Sequence, residues 1–180
     1  MQLSAGHDVS AAVKTDGTVW VWGWHPWLFV LPTLHPAPML DSAGNRVGGA
    51  ARVAVGTGFV LVLKSDGSLW TWGAVGGSDA RRVRAVAVET APGVPVTGIA
   101  GIAAGWAHAL ALASDGKVLS WGGGEIGRKA SLSEAQIPGF VTDSAGVTVT
   151  GVSQVQAGEH FSVLKKTDGS LWSFGTNANA

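Results

Sequence analysis

At 180 residues, with 46% apolar side chains, 13% charged residues, 27 glycines, nine tryptophans and no cysteine, the chain is too apolar for a disordered segment and cannot form disulfides, thiolate metal sites or a cysteine nucleophile. Twelve basic residues balance twelve acidic ones, so no net field recruits nucleic acid or an anionic membrane. The longest apolar stretch, from Trp27 to Pro32, falls well short of the roughly 20 residues of a spanning helix; the opening MQLSAGHD lacks the basic start and apolar run of a secretory signal, so an export signal is expected upstream or not at all.

Taken in chain order, four segments align without a gap: GHDVSAAVKTDGTVWVWG from Gly6, GTGFVLVLKSDGSLWTWG from Gly56, GWAHALALASDGKVLSWG from Gly105 and GEHFSVLKKTDGSLWSFG from Gly158. Their leading glycines stand 50, 49 and 53 residues apart, and in each copy an Asp-Gly pair begins ten residues after the glycine. An aromatic-Gly pair follows six residues after the aspartate. Each copy reads as a β-hairpin, because β-branched and aliphatic runs flank a pair in which glycine accepts φ > 0 and aspartate caps the turn. The turn residues are Asp16 and Gly17, Asp66 and Gly67, Asp115 and Gly116, and Asp168 and Gly169.

On the return strands Trp20 and Trp22, Trp70 and Trp72, Leu119 and Trp121, and Trp172 and Phe174 are two apart and share a face. The opposite face is small or mixed, which suits sheets stacked face to face. A β-branched piece ends at Gly56, Gly105 and Gly158, predicting a strand ahead of each later hairpin, with the glycine at a close backbone approach. A fourth, outer strand is expected in the linkers, around Val83 to Val88 or Ile137 to Thr142.

These residues resemble the repeats of the regulator of chromosome condensation family. The third copy matches the pattern in full, with His108 at the histidine position; the others hold Val9, Phe59 and Phe161 there. The linkers with Asp41 to Gly44 and Asp143 to Gly146 are similar to the D-x-x-G turns of bacterial members. The resemblance implies an all-β fold, a β-propeller of four-stranded blades, usually seven in the family. Four repeats then make an open arc or part of a seven-bladed ring. The organisation is a single repeat domain, 1–180, with hairpins at 6–23, 56–73, 105–122 and 158–175 and linkers at 24–55, 74–104 and 123–157. The end faces of such an arc would expose apolar surface and demand a partner chain or further sequence.

Catalytic constellations are scarce. None of His7, His25, His35, His108 and His160 has the i, i+4 spacing of a helical metal site. His7, His108 and His160 recur near equivalent positions, where a ring nitrogen is expected to bond a backbone carbonyl. The four turn aspartates repeat once per unit, which fits turn chemistry rather than one converging site. The G-x-G-x-x-G match from Gly122 to Gly127 lacks a following helix pattern, so it carries no phosphate site. Arg81, Arg82 and Arg84 form the densest basic cluster and read as a solvated edge that blocks strand aggregation, ahead of an anion site. No catalytic residue, metal site or cofactor is expected.

The linker WHPWLFVLPTLHP departs from a polar turn by crowding Trp24, Trp27 and Phe29 between prolines, and Trp106 follows a leading glycine. The linker reads as an outer strand and loop packed on its blade, or as aromatic anchors for a partner. The residues marked for partner binding are Trp24, Trp27, Phe29 and Trp106. The expected function is a non-catalytic protein-interaction scaffold, with a protein partner, no nucleic acid, no membrane, and self-association through exposed blade ends. Competing readings are guanine nucleotide exchange on a small GTPase, which the resemblance suggests, an enzyme-inhibitor propeller, and an extracellular bacterial repeat protein. A secreted or cell-surface bacterial setting is favoured over the cytoplasm, which the sequence alone does not decide.

Overall fold

The computed structural model describes residues 1–24, 33–75, 84–124 and 126–176. Alternation of residues across each strand and glycine at each turn build antiparallel sheets in which chain order is also spatial order. The first sheet is β1 (Gln2–Gly6), β2 (Val9–Val13), β3 (Val19–Gly23) and β4 (Thr33–Pro38). The second is β5 (Ala50–Gly56), β6 (Phe59–Lys64), β7 (Leu69–Gly73) and β8 (Val86–Ala87), with a small hairpin of β9 (Glu89–Ala91) and β10 (Val94–Pro95) after it. The third is β11 (Ile99–Ala104), β12 (His108–Ala113), β13 (Val118–Gly122) and β14 (Gly139–Phe140), with the single-turn helix α1 (Leu132–Ala135) before β14. The fourth, β15 (Val152–Ala157), β16 (Phe161–Lys166) and β17 (Leu171–Gly175), has three strands among the described residues, one fewer than the blade expected from the sequence.

The hairpin turns set the register. In the second sheet Asp66 accepts from the Ser68 amide at 2.9 Å and Ser68 hydroxyl at 2.6 Å, while Gly67 takes φ +80°. That φ is open to glycine and costly for residues with a Cβ. The Gly67 carbonyl then accepts from the Ile99 amide of the next sheet at 3.1 Å. Gly17 accepts likewise from Ala50 at 3.0 Å, and Gly116 from Val152 at 2.9 Å. Every interior turn is therefore tied to the strand that opens the following blade.

Three apolar clusters fill the gaps between successive sheets. Val9, Ala11, Val19 and Val21 meet Val53, Val60, Val62 and Trp72 in the first gap. Phe59, Leu61 and Leu69 meet Ala109, Ala111, Leu119 and Trp121 in the second. Leu110, Leu112 and Val118 meet Val152, Val155 and Leu164 in the third. One face of each return strand carries the large rings while the other carries aliphatics, so each gap receives both. The strands that open the sheets approach each other closely at their glycines: a Cβ on Gly56 would meet the Gly105 carbonyl oxygen at 2.7 Å, and one on Gly105 would meet that of Gly158 at 2.6 Å. Among the described residues the first and fourth sheets share no cluster, and the four sheets form part of a β-propeller.

Each linker repeats one device. Met39 donates to the Val19 carbonyl, Val47 to Met39 and Val19 to Val47, all within 3.1 Å. Leu69, Val88 and Val96 close the same triangle in the second unit within 3.2 Å. The D-x-x-G segments are its tight bends: Asp41 accepts from the Ala43 and Asn45 amides, and Asp143 from those of Ala145 and Val147. The outer strands β8 and β14 lie inside the expected spans but are only two residues long each. Among the described residues no helix is long and apolar enough to cross a membrane.

Candidate functional site

The short loops between the first and second strands of each sheet, and the exits of the third strands, share one rim. Those loops are His7 and Asp8, Thr57 and Gly58, Gly105 to Ala107, and Gly158 to His160. Their backbones are joined from blade to blade: the Thr57 amide donates to the Trp106 carbonyl and the Trp106 amide to the Glu159 carbonyl, both at 3.0 Å. The exit residues are tied to the same loops. Trp24 donates to the Asp8 carbonyl at 3.0 Å, Ala74 to Gly58 at 3.1 Å, Gly123 to Ala107 at 2.8 Å and Thr176 to His160 at 2.9 Å.

Trp24 and Trp106 thus stand on one rim, on the first and third blades, with both backbones fixed and both rings exposed at 47% and 45%. The Trp106 ring meets that of His160 edge to face, centroids 5.1 Å apart at 71°. His7 is held by Asp8, Nδ1 to Oδ2 at 2.7 Å, with φ +22°. Trp27 and Phe29 lie outside the described residues, as do His25, Arg81 and Arg82; Arg84 and His35 are exposed.

The turn aspartates lie on the opposite rim, one per blade. Asp16, Asp66 and Asp168 each accept from a hydroxyl and an amide two residues on, and these bonds hold their carboxyls below the ordinary 3.8. Asp115 instead accepts from the Lys117 ammonium at 2.7 Å and the Lys117 amide at 3.1 Å, which lowers it too. Gly17, Gly67, Gly116 and Gly169 all have φ between +77° and +87°. Such exposed, separated carboxylates serve their own turns. Among the described residues no three His, Asp or Glu side chains gather where they could hold a metal ion.

The histidines are placed differently from the sequence expectation of backbone-carbonyl partners. His108 is buried, and its Nε2 lies 2.9 Å from the Ser162 hydroxyl of the next blade. Burial, with the charge of His160 adding to it, pushes the His108 imidazole below its ordinary 6.5. Sequence reasoning saw His108 but not Ser162, because the pairing depends on blade-to-blade register. It also missed Arg128, whose guanidinium donates to the carbonyls of Glu134 at 2.9 Å and Ile137 at 2.7 Å and so fastens the third linker. The glycine run near Gly122 is structural as well: a Cβ on Gly127 would strike the Phe174 ring at 2.7 Å. The helix α1 that follows is four residues long, and its Ser131 and Glu134 form a capping box that S-x-x-E spacing could have signalled.

The Regulator of chromosome condensation (RCC1) repeat matches over residues 99–125, the strand and hairpin that carry His108. The third repeat of the chain is thus similar to the regulator of chromosome condensation repeat. Among solved structures, human WBSCR16 is 22% identical with a TM-score of 0.79, over 98% of this chain and 48% of that one. Yeast RCC1 (Prp20), solved bound to Kap60, is 21% identical with a TM-score of 0.69, over 98% of this chain and 42% of that one. Prp20p from Saccharomyces cerevisiae, described with its binding properties to Gsp1p and histones, gives 21% and 0.68 over 98% of this chain and 43% of that one. At such identities the likeness establishes the propeller fold alone. This repeat protein spans about half the length of these relatives, and no curated protein sequence matches it.

Proposed function

We propose that this repeat protein is a non-catalytic protein-recognition scaffold, a single domain over residues 1–180 that works without a cofactor, and that the rim bearing Trp24 and Trp106 is its binding face. One observation carries the reading: two indole rings, nearly half exposed, stand on the same rim with their backbone amides bonded to neighbouring loops. Large rings on rigid backbone lose little entropy on docking and make typical interface anchors. Trp27 and Phe29 follow Trp24 in the sequence and are included in the proposal as binding residues. Two of the similar structures are of proteins that bind Kap60, or Gsp1p and histones, which supports a protein as the class of ligand.

The test is a Trp24→Ala, Trp106→Ala double variant, compared with an Asp66→Ala variant on the opposite rim. Cross-linked partners identified with the native chain should bind the double variant roughly 30-fold more weakly or worse, the loss expected of an interface anchor, and bind the Asp66 variant undiminished. Full binding by the double variant rejects the rim. Accelerated nucleotide release from a small GTPase would replace the scaffold by an exchange factor.

A further inference from the structure

In the first three blades the third strand turns one face to the following blade, where Val19, Leu69 and Val118 enter the apolar clusters. Two residues on, and so on the same face, stand Val21, Thr71 and Ser120. These three are all buried but differ in chemistry. Val21 is 2% exposed and has no polar atom to satisfy. Ser120 is fully buried, and its hydroxyl donates to the Ile126 carbonyl. Thr71 is 5% exposed, and its buried Oγ1 has no hydrogen-bond partner. A core position of this kind is satisfied by a methyl group, as at Val21, or by an internal acceptor, as at Ser120. An unpaired buried hydroxyl destabilises the fold, and the second blade keeps one where its two neighbours do not.

Thr71 lines a cleft of about 460 Å³ between the second and third blades. Gly73 and Trp121 lie beside it, Trp121 only 3% exposed, and form the floor. One lip is Glu89 to Pro92, where β9 runs into its turn, and the other is Gln136 to Pro138, just ahead of β14. Glu89 to Pro92, Gln136 and Ile137 are exposed. The volume falls within the range of pockets for small organic molecules. Glu89, whose Oε2 accepts from the Gly93 amide at 3.1 Å, is the one charged side chain among the described residues of the lining. An anionic guest would meet that carboxylate with no cation to offset it. A guest that draws Thr71 Oγ1 toward the cleft needs only a change of threonine rotamer, with the backbone at rest.

We propose that this cleft binds a small uncharged ring compound that bears a hydroxyl group. The ring lies between the lips, against Pro92, Ile137 and the edge of Trp121, and its oxygen accepts from the Thr71 hydroxyl. The guest's own hydroxyl proton goes to the Gln136 carboxamide oxygen at the mouth. Binding then removes the unpaired group that the second blade carries, and a ring without the hydroxyl gains only the apolar contacts. The blades that build the cleft each have a neighbour on either side, and the proposal is independent of the rim that bears Trp24 and Trp106.

The experiment is an NMR amide-shift titration of the full chain with p-cresol, with toluene, which has the same ring and methyl group but no hydroxyl, and with benzoate as the anion. p-Cresol should saturate shifts at Thr71, Thr90 and Gln136 and bind roughly fivefold more tightly than toluene, the worth of one neutral hydrogen bond; benzoate should bind most weakly. Thr71→Val should erase the preference for p-cresol, while the urea midpoint of the free variant equals or exceeds the native one. Ala91→Trp, at an exposed lip position, should block both neutral probes and leave unfolding cooperative. The Trp24→Ala, Trp106→Ala variant should bind p-cresol as the native chain does. Absence of saturable shifts at the cleft with millimolar p-cresol overturns the proposal. So does equal affinity for toluene, or a preference that survives in Thr71→Val. A Thr71→Val midpoint clearly below the native one would show that the hydroxyl already has a partner, and overturns it as well.

Discussion

His108 of the third blade and Ser162 of the fourth form a buried side-chain pair across the gap between blades, Nε2 to Oγ at 2.9 Å. In the preceding gap the same two repeat positions hold Phe59 and Ala109. A histidine whose folded value is pushed below 6.5 binds fewer protons than the unfolded chain does, so its contribution is complete above 6.5 and is lost as pH falls below it. The urea midpoint should therefore be level above neutrality and decline from about pH 6.5 downward. His108→Phe with Ser162→Ala copies the preceding gap and should flatten that decline. His108→Phe alone leaves a buried hydroxyl unpaired and should cost about 1–3 kcal/mol. An unchanged slope in the double variant would remove His108 as its source.

Gly105→Ala should destabilise the fold by roughly 1–3 kcal/mol, the cost of overpacking a closed site. Its Cβ would meet the Gly158 carbonyl oxygen and the His108 Nδ1, both at 2.6 Å. Gly48→Ala is the matched control, since nothing lies within 4 Å of its Cβ position and its φ is outside the positive range. Denaturation midpoints of the two variants check the contrast.

The turn aspartates govern the acid limb. Bonds from Ser68 hold Asp66 below 3.8, so its contribution is present above that value and is lost as pH falls through the lowered one. Asp66→Ala should lower the urea midpoint at pH 7 and narrow the gap to the native protein near pH 2.5. Equal losses at both pH values would show that the turn owes nothing to the charge.

In three hairpins a lysine lies over the tryptophan across the Asp-Gly turn: Lys14 over Trp20 at 4.9 Å, Lys64 over Trp70 at 4.0 Å and Lys166 over Trp172 at 4.8 Å. The third copy, with Leu119 at the ring position, has Ala113 at the lysine position. Lys64→Met keeps the stem and removes the charge, and should cost about 0.5–1 kcal/mol at such a half-exposed site. A Lys64→Met, Trp70→Leu cycle on the urea midpoint measures the coupling.

The hairpins were legible because turn and strand signals are local: Asp-Gly fixes the bend, and rings two residues apart fix the face. The close approach at Gly56 and Gly105 could be anticipated for the same reason. The outer strands were legible only as broad spans, since β8 and β14 each bury little and owe their place to β7 and β13. Helix α1 carried a readable capping signal in Ser131 and Glu134. The partners of His108 and Trp106 were not readable, because Ser162 and His160 reach them only through the stacking of one blade on the next.

The acceptors at the turns precede their donors along the chain: Gly17 before Ala50, Gly67 before Ile99, Gly116 before Val152. The opposite rim runs the other way, Thr57 and Trp106 donating to carbonyls of the following blade, so the second, third and fourth blades are laced in succession by bonds of both senses.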